Sequence, residues 1–187
     1  MTPELRARFL ALLCIALTSP ALAEEEDPAS AQIVGEWATG ACKSRDVRGF
    51  FDAFISSAAV RQKYSADELA VVTNSASGRE EKVVPKESYA DFPLAMADYY
   101  YVNAEPVPQP GYSHVLLDFK ESGDGTDLLD DGSIRVEWHT VVYDGDSAGG
   151  DDPGNIIEEK DDPGALVFMP TEECWELTRI ETTIPAR

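Results

Sequence analysis

The sequence is poor in basic residues, and this limits the partners that it can have. Its 187 residues include 15 lysines and arginines against 35 aspartates and glutamates, a formal net charge of −20 at pH 7. Nucleic-acid phosphates and anionic lipid headgroups would meet a repulsive field at such a surface. Nucleic acid and membrane are therefore not expected as partners, whereas a cationic protein is compatible with the charge.

The chain also lacks the motifs of the common cofactor sites. Neither a P-loop nor a GxGxxG segment follows a predicted strand, and Gly145, Gly149 and Gly150 lie in an acidic loop that repels phosphate. Two histidines and so few cysteines are a poor basis for a zinc site. We expect no cofactor.

Long apolar runs are absent except near the N-terminus. There, Arg6 and Arg8 precede an apolar run over 9–17 that is too short to form a membrane-spanning helix. The small residues at 21–23 then suit a signal peptidase. We predict a signal peptide over 1–23, and a mature protein that is periplasmic or secreted.

Cysteine is scarce, because the chain has three and one of them, Cys14, lies in the predicted signal peptide. Cys42 and Cys174 remain, and an even number of cysteines in an exported protein favours a disulfide. A free nucleophilic thiolate would be exposed to oxidation outside the cytoplasm. We therefore predict a disulfide between Cys42 and Cys174.

The clearest pattern in the chain is that of an amphipathic helix. From Val47 to Ala59, apolar residues recur at the three- and four-residue spacing of one helix face. This predicts a helix that continues to about Lys63, with Ser44 as its N-cap. Residues 24–44 are predicted to be mostly irregular, and 45–187 to form a single α+β domain.

After Gly111 the pattern becomes that of β-strands. Apolar and polar residues nearly alternate over 133–144, which predicts a strand with one buried face. A short strand over 156–160 is predicted to pair with 165–169 through the turn between them. Further strands are predicted over 96–102, 112–120 and 174–183. Two acidic loops, 121–133 and 144–164, join strands.

This order of elements, a long amphipathic helix, an aromatic strand and then a run of long strands, resembles the NTF2-like (cystatin-like) α+β family over residues 45–183. The resemblance implies a curved antiparallel sheet that wraps the helix and leaves a cone-shaped pocket. It also implies either a non-catalytic binding or accessory module or a small-molecule enzyme of isomerase, dehydratase or hydrolase type. A small lipocalin-like β-barrel is the alternative fold.

Five ionisable side chains on the predicted strands would approach such a pocket: Asp98, Tyr99, Tyr101, Asp118 and His139. A carboxylate beside tyrosine hydroxyls in an apolar hollow can act as a general acid and base on a carbonyl substrate. The alternative is that the aromatic residues fill the core and the aspartates face solvent. We favour the alternative, because no spacing among these residues is one that the chemistry requires.

The second acidic loop raises the question of calcium. It offers four carboxylates as hard oxygen ligands: Asp144, Asp146, Asp151 and Asp152. The EF-hand order fails, however, because Ala148 and Asn155 occupy its fifth and twelfth positions. A solvated loop without metal is therefore expected. The leading hypothesis is an exported non-catalytic binding or accessory module of unknown ligand, for which a cationic protein or a small apolar molecule is a candidate partner. It ranks ahead of an enzyme and of a calcium-stabilised extracellular protein.

Export can be tested directly at the N-terminus. Expression of the full chain in a bacterium should yield a processed protein, and N-terminal sequencing should find Glu24 as its first residue. Substitution Ala23→Arg should block processing, because the peptidase groove accepts only small residues there. Recovery of Met1 on membrane-bound wild-type protein would contradict the prediction.

Overall fold

The structure, a computed structural model, describes residues 26–89, 92–97, 100–104, 113–123, 125–145 and 154–184. Within these ranges the helices are α1 (Pro28–Ser44), α2 (Val47–Ser56) and α3 (Ala58–Lys63). The strands are β1 (Ser65–Ser75), β2 (Gly78–Pro85), β3 (Leu94–Ala97), β4 (Tyr100–Asn103), β5 (Ser113–Phe119), β6 (Ile134–Tyr143), β7 (Ile156–Glu159), β8 (Gly164–Pro170) and β9 (Trp175–Thr183). A short 3-10 turn, Lys86–Ser88, follows β2.

The strands form an open, curved sheet with a separate hairpin beside it. The sheet order is β2-β1-β9-β8-β6-β5, β7 pairs with β6, and β3 pairs with β4. The predicted α+β class, with helices on a curved sheet, is confirmed, and the described strands do not close into the alternative barrel. The sheet is mixed rather than wholly antiparallel, since β1 and β9 run parallel. These two strands come from opposite ends of the domain, so no hairpin fixes their relative direction.

The apolar face of α2 forms the centre of the core. Phe50, Phe51 and Phe54 are completely buried. Their rings all contact the ring of Phe168 on β8, at centroid distances of 5.7, 6.1 and 4.9 Å. Complete burial of a phenylalanine side chain contributes about 1.5–3 kcal/mol, so this cluster is the main attachment of the helices to the sheet.

The predicted amphipathic helix is present, but it is interrupted at Ser57. This residue has an extended backbone, and its hydroxyl accepts a hydrogen bond from the Val60 amide, so it ends α2 and caps α3. The N-cap of α2 is Asp46, whose Oδ1 accepts a hydrogen bond from the Gly49 amide at 3.0 Å. Ser44, the predicted N-cap, is instead the last residue of α1.

Residues 28–44 are helical, so the prediction of a mostly irregular segment over 24–44 is wrong there. Asp27 caps α1, since its carboxylate accepts a hydrogen bond from the Ser30 amide at 3.0 Å. The buried residues of this helix are small: Ala38, Ala41 and Cys42. Small side chains give a weak periodic signal in a sequence. Within the described residues, no helix combines the length and apolar character needed to cross a membrane.

The alternation predicted for β6 is confirmed from Ile134 to Thr140 and ends there, because Val141 is buried as well. Ile134, Val136 and Trp138 are buried, whereas Arg135 and Glu137 between them are partly exposed. This central strand therefore presents one face to the helices and a charged face to solvent, which we call the outer face of the sheet.

The predicted hairpin between β7 and β8 is wrong, because β7 pairs with β6 and β8 lies between β6 and β9. A type II turn would need Gly164 in the left-handed region, and its φ lies outside that region. The ring of Trp138 occupies the space that a Cβ at Gly164 would need. Asp162 binds β6 instead, accepting hydrogen bonds from N and Oγ1 of Thr140 at 2.9 and 2.6 Å.

The aromatic segment 96–102 contributes to two strands instead of one. β3 ends at Ala97 and β4 begins at Tyr100, and the two pair antiparallel with Met96 opposite Tyr101. Asp98 and Tyr99 lie outside the described residues. The hairpin places Tyr101 opposite α2, which bears on the site described below.

The disulfide between Cys42 and Cys174 is present, as predicted, and it joins the last turn of α1 to the beginning of β9. The two Cα atoms are 4.9 Å apart, which is normal for this bond. The cysteines are separated by 132 positions. In the chain-entropy model, a loop of this length corresponds to about 5 kcal/mol of stabilisation. Trp175, which follows Cys174, is fully buried, with the Arg45 guanidinium 4.4 Å above its ring.

Removal of either cysteine should destabilise the protein equally. Cys42→Ser and Cys174→Ser should each lower the free energy of unfolding by about 2–5 kcal/mol. The double variant should lose no more than either single variant, because all three lack the same bond. Urea unfolding curves of the four proteins provide the measurement. Two free thiols in the purified, oxidised wild type would contradict the prediction.

Candidate functional site

A cavity of about 460 Å³ lies between α2 and the strands β4 and β5, and we call it the β4–β5 cleft. Val115, Leu117 and Phe119 of β5 give it an apolar lining, and α2 contributes Arg48 and Asp52. The volume falls in the range of small-molecule sites. The cleft therefore combines an apolar surface with a few polar groups, as such sites do.

Within the cleft, the hydroxyl of Tyr101 donates a hydrogen bond to the carboxylate of Asp52. The Tyr101 ring also packs on Phe51, with 5.9 Å between ring centroids. Burial raises the pKa of the Tyr101 phenol well above its usual value, and the hydrogen bond and negative charge of Asp52 raise it further. The phenol is therefore a protonated donor at neutral pH, and it holds one oxygen of Asp52.

Arg48 is fixed at the edge of the cleft by a residue from the first acidic loop. Its Nε and Nη2 donate to the two carboxylate oxygens of Asp127 at 2.8 and 2.9 Å. The guanidinium also lies 4.6 Å above the ring of Phe119. Because 62% of the Arg48 side chain is exposed, the pair contributes only about 0–1 kcal/mol. Its main effect is to orient the guanidinium.

Three rings form the other edge of the cleft. His114 is buried, and its ring centroid lies 4.5 Å from that of Tyr100 and 5.1 Å from that of Tyr143. Burial lowers the pKa of His114, so the imidazole is neutral at pH 7. This edge is therefore an uncharged aromatic surface, which favours flat apolar groups.

Of the five side chains predicted to approach a pocket, the structure places one, Tyr101, in this cleft. Asp98 and Tyr99 lie outside the described residues. His139 lies on the outer face of β6, where its Nε2 is 3.8 Å from a carboxylate oxygen of Glu159. The fifth, Asp118, also lies on the outer face. Among the described residues, the cleft therefore contains Tyr101 but neither Asp118 nor His139 of the five candidates.

Asp118 belongs to a chain of ion pairs across the outer face of the sheet, and its carboxylate binds Lys120. The successive pairs that follow are Lys120–Glu137 at 2.8 Å, Glu137–Arg135 at 2.8 Å, Arg135–Glu181 at 3.1 Å, Glu181–Arg179 at 2.7 Å and Arg179–Glu81 at 3.0 Å. The hydrogen bond from Lys120 lowers the pKa of Glu137, so this carboxyl is ionised at neutral pH. Asp118 thus takes part in charge pairing across strands.

Of the four candidate calcium ligands, only Asp144 lies among the described residues; Asp146, Asp151 and Asp152 lie outside them. Both oxygens of Asp144 accept hydrogen bonds from Asn155, from its amide at 3.1 Å and from its side chain at 3.2 Å. Asp144 thereby joins the two ends of its loop. No cluster of three or more metal-binding side chains occurs within the part of the chain that the structure describes.

Arg48 and Asp52 line the cleft, although neither is among the candidates that the sequence indicated. Each directly follows a residue of the apolar face of α2, Val47 and Phe51 respectively, so the two lie together at the border of that face. Such a border is where a helix leaves the core and meets a cleft. The position of Arg48 and Asp52 at this border can therefore be read from the sequence. It does not indicate which strand the border will contact.

No family model and no curated protein match the chain. A DUF4783 family protein from Bacteroides ovatus is similar in structure, with 10% identity over 68% of this chain and 84% of that chain and a TM-score of 0.33. An NTF2-like protein of unknown function from Pseudomonas putida is 10% identical over 85% of this chain and 87% of that chain, with a TM-score of 0.30.

An NTF2-like protein from Cytophaga hutchinsonii has 11% identity over 84% of this chain and 98% of that chain, with a TM-score of 0.27. Two of these three structures are described as NTF2-like proteins.

Tyr101 should make the stability of the protein sensitive to alkaline pH. Its pKa is raised in the folded state, so the unfolded phenol, with an ordinary pKa of about 10, loses its proton first as the pH rises. The stability from this group is therefore complete below about pH 10 and is lost above it. Urea unfolding should be measured between about pH 8 and pH 11. Over this range, the free energy of unfolding should fall less steeply with rising pH for Tyr101→Phe than for wild type.

At the lower end of this pH range, Tyr101→Phe should lower the free energy of unfolding by about 1–2 kcal/mol, because a hydrogen bond to a carboxylate is lost at a half-buried site. Asp52→Asn should reduce the alkaline sensitivity without removing it, since burial is the largest cause of the raised pKa. Equal alkaline slopes for wild type and Tyr101→Phe would show that the phenol titrates normally.

Proposed function

We propose that the protein is an exported, non-catalytic binding module that holds a small, mainly apolar ligand in the β4–β5 cleft. One observation carries the proposal: the cleft is large enough for a small molecule, and its main polar groups among the described residues are already paired with protein partners. Tyr101 binds Asp52, and Arg48 binds Asp127. What remains for a ligand is chiefly apolar and aromatic surface.

The lining of the cleft indicates the class of ligand. Leu117 and Phe119 offer aliphatic and aromatic contacts from β5. His114 and Tyr143 add ring faces and edges on the other side, and the imidazole is uncharged at pH 7. A flat, uncharged molecule with one polar substituent fits this surface best, since it would bury apolar area without displacing an ion pair.

Export is the second part of the proposal. It is supported by the signal-like segment at the N-terminus and by the buried disulfide, which is typical of oxidising compartments. The strongly acidic composition is compatible with either compartment, since net charge favours solubility. A periplasmic or secreted carrier or accessory protein is consistent with all three features.

The contact between Asp52 and Tyr101 favours one second candidate, an enzyme that uses general acid and base catalysis on a carbonyl compound. The Tyr101 hydroxyl would turn from Asp52 to donate to the carbonyl oxygen, and the freed Asp52 carboxylate would take a proton from carbon. Deuterium exchange into cyclohexanone in D₂O tests this directly. Exchange that is faster with wild type than with Asp52→Asn would favour the enzyme over the binding module.

Binding can be measured with the neutral fluorophore N-phenyl-1-naphthylamine, whose emission rises in an apolar site. Wild type should give a saturable increase, and in ¹H–¹⁵N NMR spectra the shifted amides should include those of Val115 and Leu117. Leu117→Trp should fill the cleft with its indole ring, so that the probe loses a buried aromatic contact worth over about 1 kcal/mol. The affinity for the probe should therefore fall at least about tenfold.

Val83→Trp provides the matched control, because Val83 is 62% exposed on β2 and lies outside the cleft. This variant should bind the probe like wild type. An unsaturable response in wild type, or undiminished binding by Leu117→Trp, would overturn the proposed site.

A further inference from the structure

A second cavity, of about 220 Å³, lies between α3, the beginning of β1 and the 3-10 turn after β2. It shares no lining residue with the β4–β5 cleft. Leu69, Leu177 and Phe92 give it apolar walls, and Arg61 and Lys86 are the charged residues in its lining. A small cavity with two cations is unusual in a chain with a net charge of −20.

Arg61 is held rigidly in this cavity by groups that do not neutralise it. Its Nη1 donates to the carbonyl oxygens of Phe54 and Ile55 at 3.3 and 2.6 Å, and its guanidinium lies 5.1 Å from the centre of the Phe92 ring. Within the described residues, no carboxylate lies within ion-pair distance of Arg61. Its remaining donors, on Nη2 and Nε, make no hydrogen bond to the described protein groups.

The charge of Arg61 is incompletely compensated. Burial lowers the pKa of Arg61, and the attraction of Glu26 offsets only part of this effect. The Glu26 carboxylate instead accepts a hydrogen bond from the Ala59 amide at 3.0 Å. A partly buried cation without a counter-charge is costly, and an anion that enters the cavity would remove this cost.

Lys86 provides the second positive charge. Its side chain is 19% exposed, and its Nζ donates to the carbonyl oxygen of Ser65 at 3.3 Å. Its ion-pair partner Asp67, at 2.9 Å, has a side chain that is 94% exposed. An ion pair with so exposed a partner is weak, so Lys86 can turn towards an anion in the cavity at little cost.

We propose that this cavity binds a small monocarboxylate, whose carboxylate pairs with Arg61 and Lys86 while its short apolar or aromatic tail contacts Leu69, Leu177 and Phe92. A guanidinium held in one orientation matches the two oxygens of a carboxylate better than it matches a halide. The volume admits a ring or a chain of a few carbons and excludes larger ligands. The apolar walls disfavour small, strongly hydrated anions such as inorganic phosphate.

The proposal can be tested with benzoate as the probe and benzamide as its neutral analogue of the same shape. At constant ionic strength, benzoate at millimolar concentrations should give saturable ¹H–¹⁵N NMR shifts at Leu69 and Leu177. Benzamide and inorganic phosphate should not saturate these resonances. Lys86→Gln should weaken benzoate binding at least about tenfold, because it removes a charge-assisted contact.

Arg61→Gln should weaken benzoate binding at least as much, but this variant also loses contacts to the end of α2, so its fold must be checked by its NMR spectrum. Lys63→Gln is the matched control on the same helix, since Lys63 is exposed and lies outside the cavity lining. It should bind benzoate like wild type.

Three results would overturn the proposal: equal shifts with benzoate and benzamide, equal weakening by Lys63→Gln and Lys86→Gln, or no saturable shift in wild type. The outcome is independent of the β4–β5 cleft, whose resonances Val115 and Leu117 report separately.

Discussion

The contact of three α2 phenylalanines with Phe168 is the constraint on which the rest of the structure depends. Phe50, Phe51 and Phe54 are fully buried, and each packs against this one ring of β8. Close packing of large rings leaves little freedom of rotation or translation for the helix. The orientation of α2 on the sheet then determines which of its other side chains face each neighbouring strand.

Both cavities follow from this orientation. At one border of the apolar face, Arg48 and Asp52 meet β5 and β4 and form the polar part of the larger cleft. At the C-terminal end of α2, the carbonyl groups of Phe54 and Ile55 hold Arg61 in the smaller cavity. The position of α2 therefore determines the geometry of both cavities, and a change in its packing would alter both.

The abundant acidic side chains have several distinct structural roles, although composition indicates only solubility. Asp46 caps a helix, Asp162 binds the edge of β6, Asp127 fixes Arg48, and Glu137 takes part in the ion pairs on the outer face. Each role satisfies a backbone or cationic group that would otherwise lack a partner. Many of the described basic residues, Lys86 included, form ion pairs with carboxylates, whereas Arg61 in the smaller cavity has none within ion-pair distance among the described residues.

The sequence by itself determined the apolar face of α2, the alternation of β6 and the pairing of Cys42 with Cys174. The first two are periodic signals within one element, and the third follows from the small number of cysteines. Only the tertiary structure decided that Tyr101 meets Asp52, that β7 pairs with β6, and that Arg61 is partly buried with no ion-paired carboxylate among the described residues. These contacts join residues far apart in the chain, and they depend on how whole elements pack, which no local pattern encodes.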